Sequence, residues 1–414
     1  MYQDLKSKLE MYKKSLAMKT DSVTRLHEPA NSNFDIDKLM DGYICNNGEG
    51  SCFVIEERYP ASYIYGGCCI GDTEMLSTGV LRKICAEIHN DMSLRDFLFL
   101  DTETTGLSGG TGTVAFLIGT GFFDAGEFVL RQFFMRDYDE EPAMLTALNE
   151  LLSKYKGLIT FNGKAFDWNL LHTRFIFNRI KPSMSGPVHL DLLFPARKIW
   201  RLKLESCSLV SIEENVLEEY RTDDIPGAMI PSIYFKYLEN RDARDIKRVI
   251  KHNKLDIMSM VSLLSRICSM IQNPLVETDR DRELLGVGKI FESSGDYQNV
   301  IDCFEACMDS ECVMVKESAS KKLSSIYKRS KNYEKAVEHW NNMLKDPSIP
   351  KIFPLIELAK YYEHKEKDPF KALEIVEEAV RISAGMGIMN NIYHKDLKKR
   401  LERLRRKTGS VKNA

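Results

Sequence analysis

Long apolar runs are absent from this 414-residue chain. No stretch of 18 consecutive apolar residues occurs, so no membrane span is expected. A secretion signal is also missing. The opening segment "MYQDLKSKLEMYKKSL" is amphipathic and charged and has no apolar core, which points to a cytoplasmic protein. Ten cysteines are present, yet none forms a Cys-x-x-Cys pair and no matching histidine pair follows. Cys303, Cys307 and Cys312 are near enough in sequence for a zinc site, although buried small apolar side chains are the commoner use of such residues. Scattered thiols fit a reducing compartment. An excess of one charge is lacking too. The net charge is −2, so any nucleic-acid contact must come from local basic patches.

What remains is an ordinary globular composition, 43% hydrophobic and 29% charged, in a length that suits two or three domains. Residues 1–94 contain glycine-rich, strand-like pieces and read as an N-terminal extension packed on the next domain. Residues 95–272 alternate strand and helix signals. Strands are expected over 97–100, 114–123, 128–134, 158–161 and 188–192, with "DAGE" as a hairpin turn between the second and third. Helices are expected over 140–155, 165–180 and 243–267. This order predicts an α/β fold, a mixed sheet flanked by helices.

Residues 280–407 carry no strand signal and contain a repeat. "GDYQNVIDCFEACM", "KNYEKAVEHWNNML" and "KDPFKALEIVEEAV" align without gaps. Val300, Ala336 and Ala372 stand 36 residues apart, and Phe304, Trp340 and Val376 keep that spacing one turn later. An upstream helix precedes each copy. The pattern resembles tetratricopeptide repeats, with an ordinary helical domain as the alternative. The tail, residues 395–412, holds nine Lys/Arg against two acids and reads first as a solvated helix, second as a nucleic-acid contact.

The chemistry begins at "FLFLDTETTGL". Four apolar residues run into Asp101-Thr102-Glu103, and strand alternation puts both acids on one face. Adjacent carboxylates repel and ask for a cation, and hard oxygen ligands favour Mg²⁺ or Mn²⁺. The glycines that follow, in "GLSGGTGTV", precede no Gly-Lys-Ser/Thr and lead into a strand. A tight turn fits them better than a phosphate loop. In "LITFNGKAFDWNLL" a short strand reaches Asn162-Gly163, and Asp167 falls in the first turns of a helix. In "VHLDLLFPARKIW" Asp191 and His189 suit structural roles. His252 and Asp256, four apart in "VIKHNKLDIMSM", share one side of a helix that is largely apolar elsewhere.

Each of these features alone has a plain structural explanation. Together they resemble the DEDD exonucleases of the ribonuclease-H-like superfamily, in the texts "FLDTETTGL", "FNGKAFD" and "HNKLD" over about 95–272. Histidine is the residue of one subgroup of that family, while three intervening residues before the aspartate is the spacing of its tyrosine subgroup. The recurrent texts "DTETTGLSGGTGTVAFLIGTGFF", "FNGKAFDWNLL" and "HNKLDIMSM", followed by tetratricopeptide-like helices, resemble the bacterial mitomycin repair factor B family. That resemblance implies a ribonuclease-H-like domain, a 3′–5′ exonuclease acting on DNA in repair, and a partner helicase bound through the repeats, with nucleoid association when engaged.

The same resemblance implies two divalent cations, Mg²⁺ or Mn²⁺, held by Asp101, Glu103, Asp167 and Asp256. Asp101 would bridge both, Glu103 and Asp256 would hold the water-activating one, and Asp167 would serve the other. His252 would take the proton of the attacking water. Nucleic-acid contacts are expected from Thr102, through its backbone N–H, and from Asn162. The cluster Arg197, Lys198, Arg201 and Lys203 around Trp200 suggests bases with a stacking ring. Lys251 heads a basic run on the helix of His252, with Arg244, Lys247, Arg248 and Lys254, and a solvated face is its other reading. An RNA-processing nuclease of the same fold is the alternative function, and a non-catalytic scaffold ranks last because all four acids and the histidine are present.

Overall fold

The computed structural model describes residues 34–106, 112–184, 186–279, 281–385 and 391–409. The turn expected at the glycines therefore lies mostly outside the described residues, as do residues 1–33 and the last part of the basic tail.

Seven strands form one mixed sheet. They are β1 (Tyr43–Asn47), β2 (Gly50–Pro60), β3 (Phe97–Thr104), β4 (Ala115–Asp124), β5 (Glu127–Phe134), β6 (Gly157–Thr160) and β7 (Val188–Asp191). Their spatial order is β1-β2-β5-β4-β3-β6-β7. The contacts from β1 through β3 are antiparallel, and those of β3 with β6 and β6 with β7 are parallel. The five strands expected from the sequence all form. β1 and β2, from the segment read as a packed extension, pair directly onto β5 and widen the sheet. The glycine-rich text around them hid a long strand: residues 53–60 pair with β5 over eight consecutive positions.

Helices α1 (Glu141–Leu152), α2 (Asp167–Phe177), α3 (Leu193–Trp200), α4 (Ile230–Asn240) and α5 (Arg244–Gln272) flank the sheet. β3 explains how both faces are covered. Phe97 and Phe99 point into the core that contains Ile257 and Met258 of α5. Leu98 and Leu100 point the other way, among residues of α1, α2 and α4. α5 is long and apolar enough by composition to cross a membrane, but 67% of its most apolar window is buried inside the fold. It is the central core helix of the protein.

Beyond α5 the structure is helical. α6 (Arg282–Ser294) packs with α7 (Tyr297–Ala306), α8 (Val313–Arg329) with α9 (Tyr333–Lys345), and α10 (Ile352–His364) with α11 (Pro369–Ala384), before α12 (Asn391–Lys407). The repeat positions Val300, Ala336, Ala372, Phe304, Trp340 and Val376 are all buried, as a helix-pair repeat requires. The core continues without a break from the sheet into these helices. Gly286 of α6 allows the approach: a Cβ there would lie 2.4 Å from the Lys198 carbonyl oxygen of α3. α12 is tied down by Glu363, whose buried carboxylate accepts from Arg400, Arg403 and Lys407. Cys303 and Cys307 are buried in this core, and neither belongs to a potential metal-ligand group among the described residues.

Candidate active site

The opening acids stand where β3 leaves its apolar stretch. Asp101 and Glu103 continue the face of Phe97 and Phe99 and so look towards α5. Thr102 lies on the opposite face, and its hydroxyl donates to Asp167 at the start of α2. The ladder with β4 shifts register between Glu103 and Thr104, a bulge of the kind that re-aims side chains beside active sites. The helix supplies the remaining groups. Glu103, His252 and Asp256 each offer a donor atom, all within 4.8 Å of one another.

Asp167 depends on the loop before it. Asp191 accepts the backbone N–H groups of Asn162 (2.7 Å), Lys164 (3.1 Å) and Leu193 (3.1 Å). Asn162 adopts a left-handed φ of 68° there. A Cβ at Gly163 would lie 2.8 Å from Asp167 Oδ2, so glycine leaves room for the carboxylate. His189 is also structural: its Nε2 sits 2.8 Å from the Thr160 hydroxyl, and burial lowers its pKa to about 4.

The electrostatics show a centre that the protein's own groups neutralise only in part. Burial, then the charges of Asp256, Asp167 and Glu103, hold the Asp101 carboxyl well above the usual carboxylate range. Burial and the charges of Asp256 and Asp167 do the same to Glu103. Burial raises Asp167 to about 6, against the opposing effect of the Thr102 hydroxyl. Acids that suppress one another's ionisation in this way fit a site for hard divalent cations, which would remove that penalty.

Residues 98–268 match the model of the RNase_H superfamily. The uncharacterized protein YprB of Bacillus subtilis (strain 168) is 30% identical over 367 residues, 87% of each chain. The chain belongs to the YprB family. Its RNase_H-superfamily domain supports a nuclease role, and all of the clustered acids lie within the matched region.

Four side chains in this YprB-family site were not expected from the sequence. Asn253 is fully buried, and its Nδ2 donates to Asp101 Oδ2 at 2.8 Å. Its Oδ1 accepts from Gln132 Nε2 at 2.8 Å, and that amide also donates to the Ile250 carbonyl at 2.9 Å. The sheet makes this possible. Asp101, Gly119 and Gln132 are lateral neighbours on β3, β4 and β5, and the missing side chain at Gly119 leaves the gap that Asn253 fills. A Cβ at position 119 would stand 2.1 Å from Asn253 Oδ1. The signal was a polar residue among the buried apolar positions Val249, Ile250 and Ile257 of α5.

Arg221, Asp224 and Glu213 are the other three. The Arg221 side chain is 5% exposed and donates to Asp256 Oδ1 at 2.5 Å and to Glu213 Oε2 at 2.6 Å. Asp224 Oδ1 lies 2.8 Å from His252 Nδ1. Arg221 Nη1 lies 3.2 Å from the same ring nitrogen, so the shorter Asp224 contact assigns Nδ1 as the protonated, donating atom. Nε2 is turned towards the acids, 3.4 Å from Asp256 Oδ2. Arg221 and Asp224 lie in a loop without periodicity and gave no sequence signal.

The expected nucleic-acid contacts divide. Trp200 does not stack on a ligand: it is fully buried, and its Nε1 donates to Glu283 of α6 at 3.0 Å. α3 is amphipathic, and Trp200 shares the buried face of Leu193, Ala196 and Ile199, while the bases take the other side. Arg197 and Arg201 are exposed and line a cleft of ≈ 370 Å³. Lys198 donates to the Ser293 hydroxyl at 2.9 Å. Thr102 uses its hydroxyl on Asp167, and Asn162 gives its N–H to Asp191. Lys251 is exposed and donates to the Thr222 carbonyl at 3.1 Å.

Proposed function

We propose that this protein is a metal-dependent 3′–5′ exonuclease that hydrolyses phosphodiester bonds of DNA, with Asp101, Glu103, Asp167 and Asp256 holding two divalent cations, Mg²⁺ or Mn²⁺. The observation that carries the reading is the convergence of these four carboxylates, from β3, α2 and α5, beside one histidine whose Nε2 is turned towards them. Bound cations would supply positive charge to the attacking and departing oxygens of the phosphodiester.

The chain's own groups account for the rest. Thr102 and Gly163 set the position of Asp167, and Asn253 sets that of Asp101. Asp224 holds the His252 ring by Nδ1, leaving Nε2 to accept the proton of the attacking water. Arg221 fixes Asp256 and Glu213 together. The preference for DNA, the 3′ polarity, a role in repair and a helicase partner docked on tetratricopeptide-like repeats rest on the family resemblance of the motifs. An RNA-processing nuclease would use the same centre.

The test incubates the protein with end-labelled single- and double-stranded DNA and RNA, with Mg²⁺ or Mn²⁺, beside Asp101→Ala. Stepwise shortening of 5′-labelled DNA, lost in the variant, is the expected result. Equal cleavage by the variant would refute the metal centre, and cleavage of RNA alone would replace DNA as the substrate.

A further inference from the structure

A cleft of ≈ 420 Å³ runs along α5, the helix that also carries His252 and Asp256. Its helical wall carries Arg244, Lys247, Arg248, Lys251 and Lys254, spaced so that they form one stripe. Two carboxylates, Glu57 of β2 and Asp223, stand among these five cations. The cleft adjoins the active site through a shared segment. Asp223 faces Arg248 at 3.1 Å in the cleft, while the next residue, Asp224, holds His252 in the site. On the helix, Lys251 and His252 are likewise neighbours.

Arg244, Arg248 and Lys254 already pair with Asp242, Asp223 and Glu57, and two observations show what is left at the cleft for an anion to meet. Arg248 Nε is buried and has no hydrogen-bond partner, so one donor at the cleft wall is unfulfilled. Lys247 is exposed and forms no ion pair among the described residues. Lys247 and Lys251 are separated by about 6 Å of helix rise, which lets them meet separate negative groups rather than chelate one.

We propose that this cleft binds successive internucleotide phosphates of the single nucleic-acid strand whose end is held at the carboxylates. The inference rests on the nuclease reading and adds the path of the strand. DNA and RNA share the phosphodiester, so the cleft serves either.

Fluorescence anisotropy of labelled 20-mers of dT and rU, with EDTA to prevent hydrolysis, tests it across a salt series. In Lys247→Gln/Lys251→Gln, affinity should fall about tenfold and the slope of log K against log salt should shrink by about 1.4, for two lost phosphate contacts. Lys247→Glu, which breaks no internal bond, should weaken binding comparably, and thermal melting checks that both variants fold. Unchanged affinity and slope in both variants would overturn the cleft while leaving the nuclease reading intact. If the parent protein binds neither polymer at low salt, both fail together.

Discussion

Asn253→Ala removes the amide that fixes Asp101 and also the acceptor of Gln132 Nε2, which keeps its bond to the Ile250 carbonyl. The lost contact is a hydrogen bond to a buried carboxylate, worth about 1.5–3 kcal/mol. Groups that orient a metal ligand typically change affinity by roughly 10–100-fold when removed. Asn253→Ala should therefore weaken Mn²⁺ binding by about that factor in isothermal titration calorimetry. Gly119→Ala should produce a similar defect without touching the amide, because its Cβ would occupy the place of Asn253 Oδ1. The double variant decides the route. With Asn253 already truncated, the methyl at 119 has nothing to displace, so Gly119→Ala/Asn253→Ala should bind Mn²⁺ about as well as Asn253→Ala alone. Parent-like affinity in both single variants would refute the positioning role. Additive losses in the double variant would show that Gly119 acts by another route.

Three further outcomes follow from buried groups. Arg221→Met strands the fully buried Glu213 carboxylate and should cost about 3–5 kcal/mol in urea unfolding, whereas Arg221→Met/Glu213→Met should recover most of the loss; equal stability of the two variants contradicts the pairing. His189 is neutral in the fold with a pKa of about 4, below its unfolded value near 6.5. The unfolded chain takes up the proton first, so stability falls as pH drops through this window, by about 2 kcal/mol at pH 5 from this group. Chemical denaturation of His189→Gln should show a shallower decline from pH 7 to 5, and an identical profile would exclude the histidine as its source. Gly286→Ala places a methyl against the α3 backbone and should loosen the repeats from the sheet, read as faster limited proteolysis near α6; unchanged cleavage rates would mean that the contact adapts.

The legibility of this chain follows the range of its interactions. Asp101 and Glu103 were readable because strand alternation fixes their shared face, and the pair His252 and Asp256 because a helix aligns residues four apart. The repeat was readable because Ala336 and Ala372 recur at one spacing and are buried together. Arg221 and Asp224 were not, since their partners on α5 lie 35 and 28 residues away and loops carry no period, and Glu213 joins the site only through Arg221. Trp200 misled because an aromatic among bases suits both stacking and an amphipathic helix. The positions of Leu193, Ala196 and Ile199 already placed it on the apolar side. β2 was obscured by the glycines that flank it in the sequence, although residues 52–55 are all buried.

The central claim is that Asp101, Glu103, Asp167 and Asp256 form one centre for two divalent cations. Anomalous diffraction from crystals grown with Mn²⁺ measures this most directly. Two Mn²⁺ ions about 4 Å apart, bound among the four carboxylates and lost in Asp101→Asn, are the predicted result. Mn²⁺-dependent hydrolysis by a protein whose crystals show no ion among those carboxylates would contradict it.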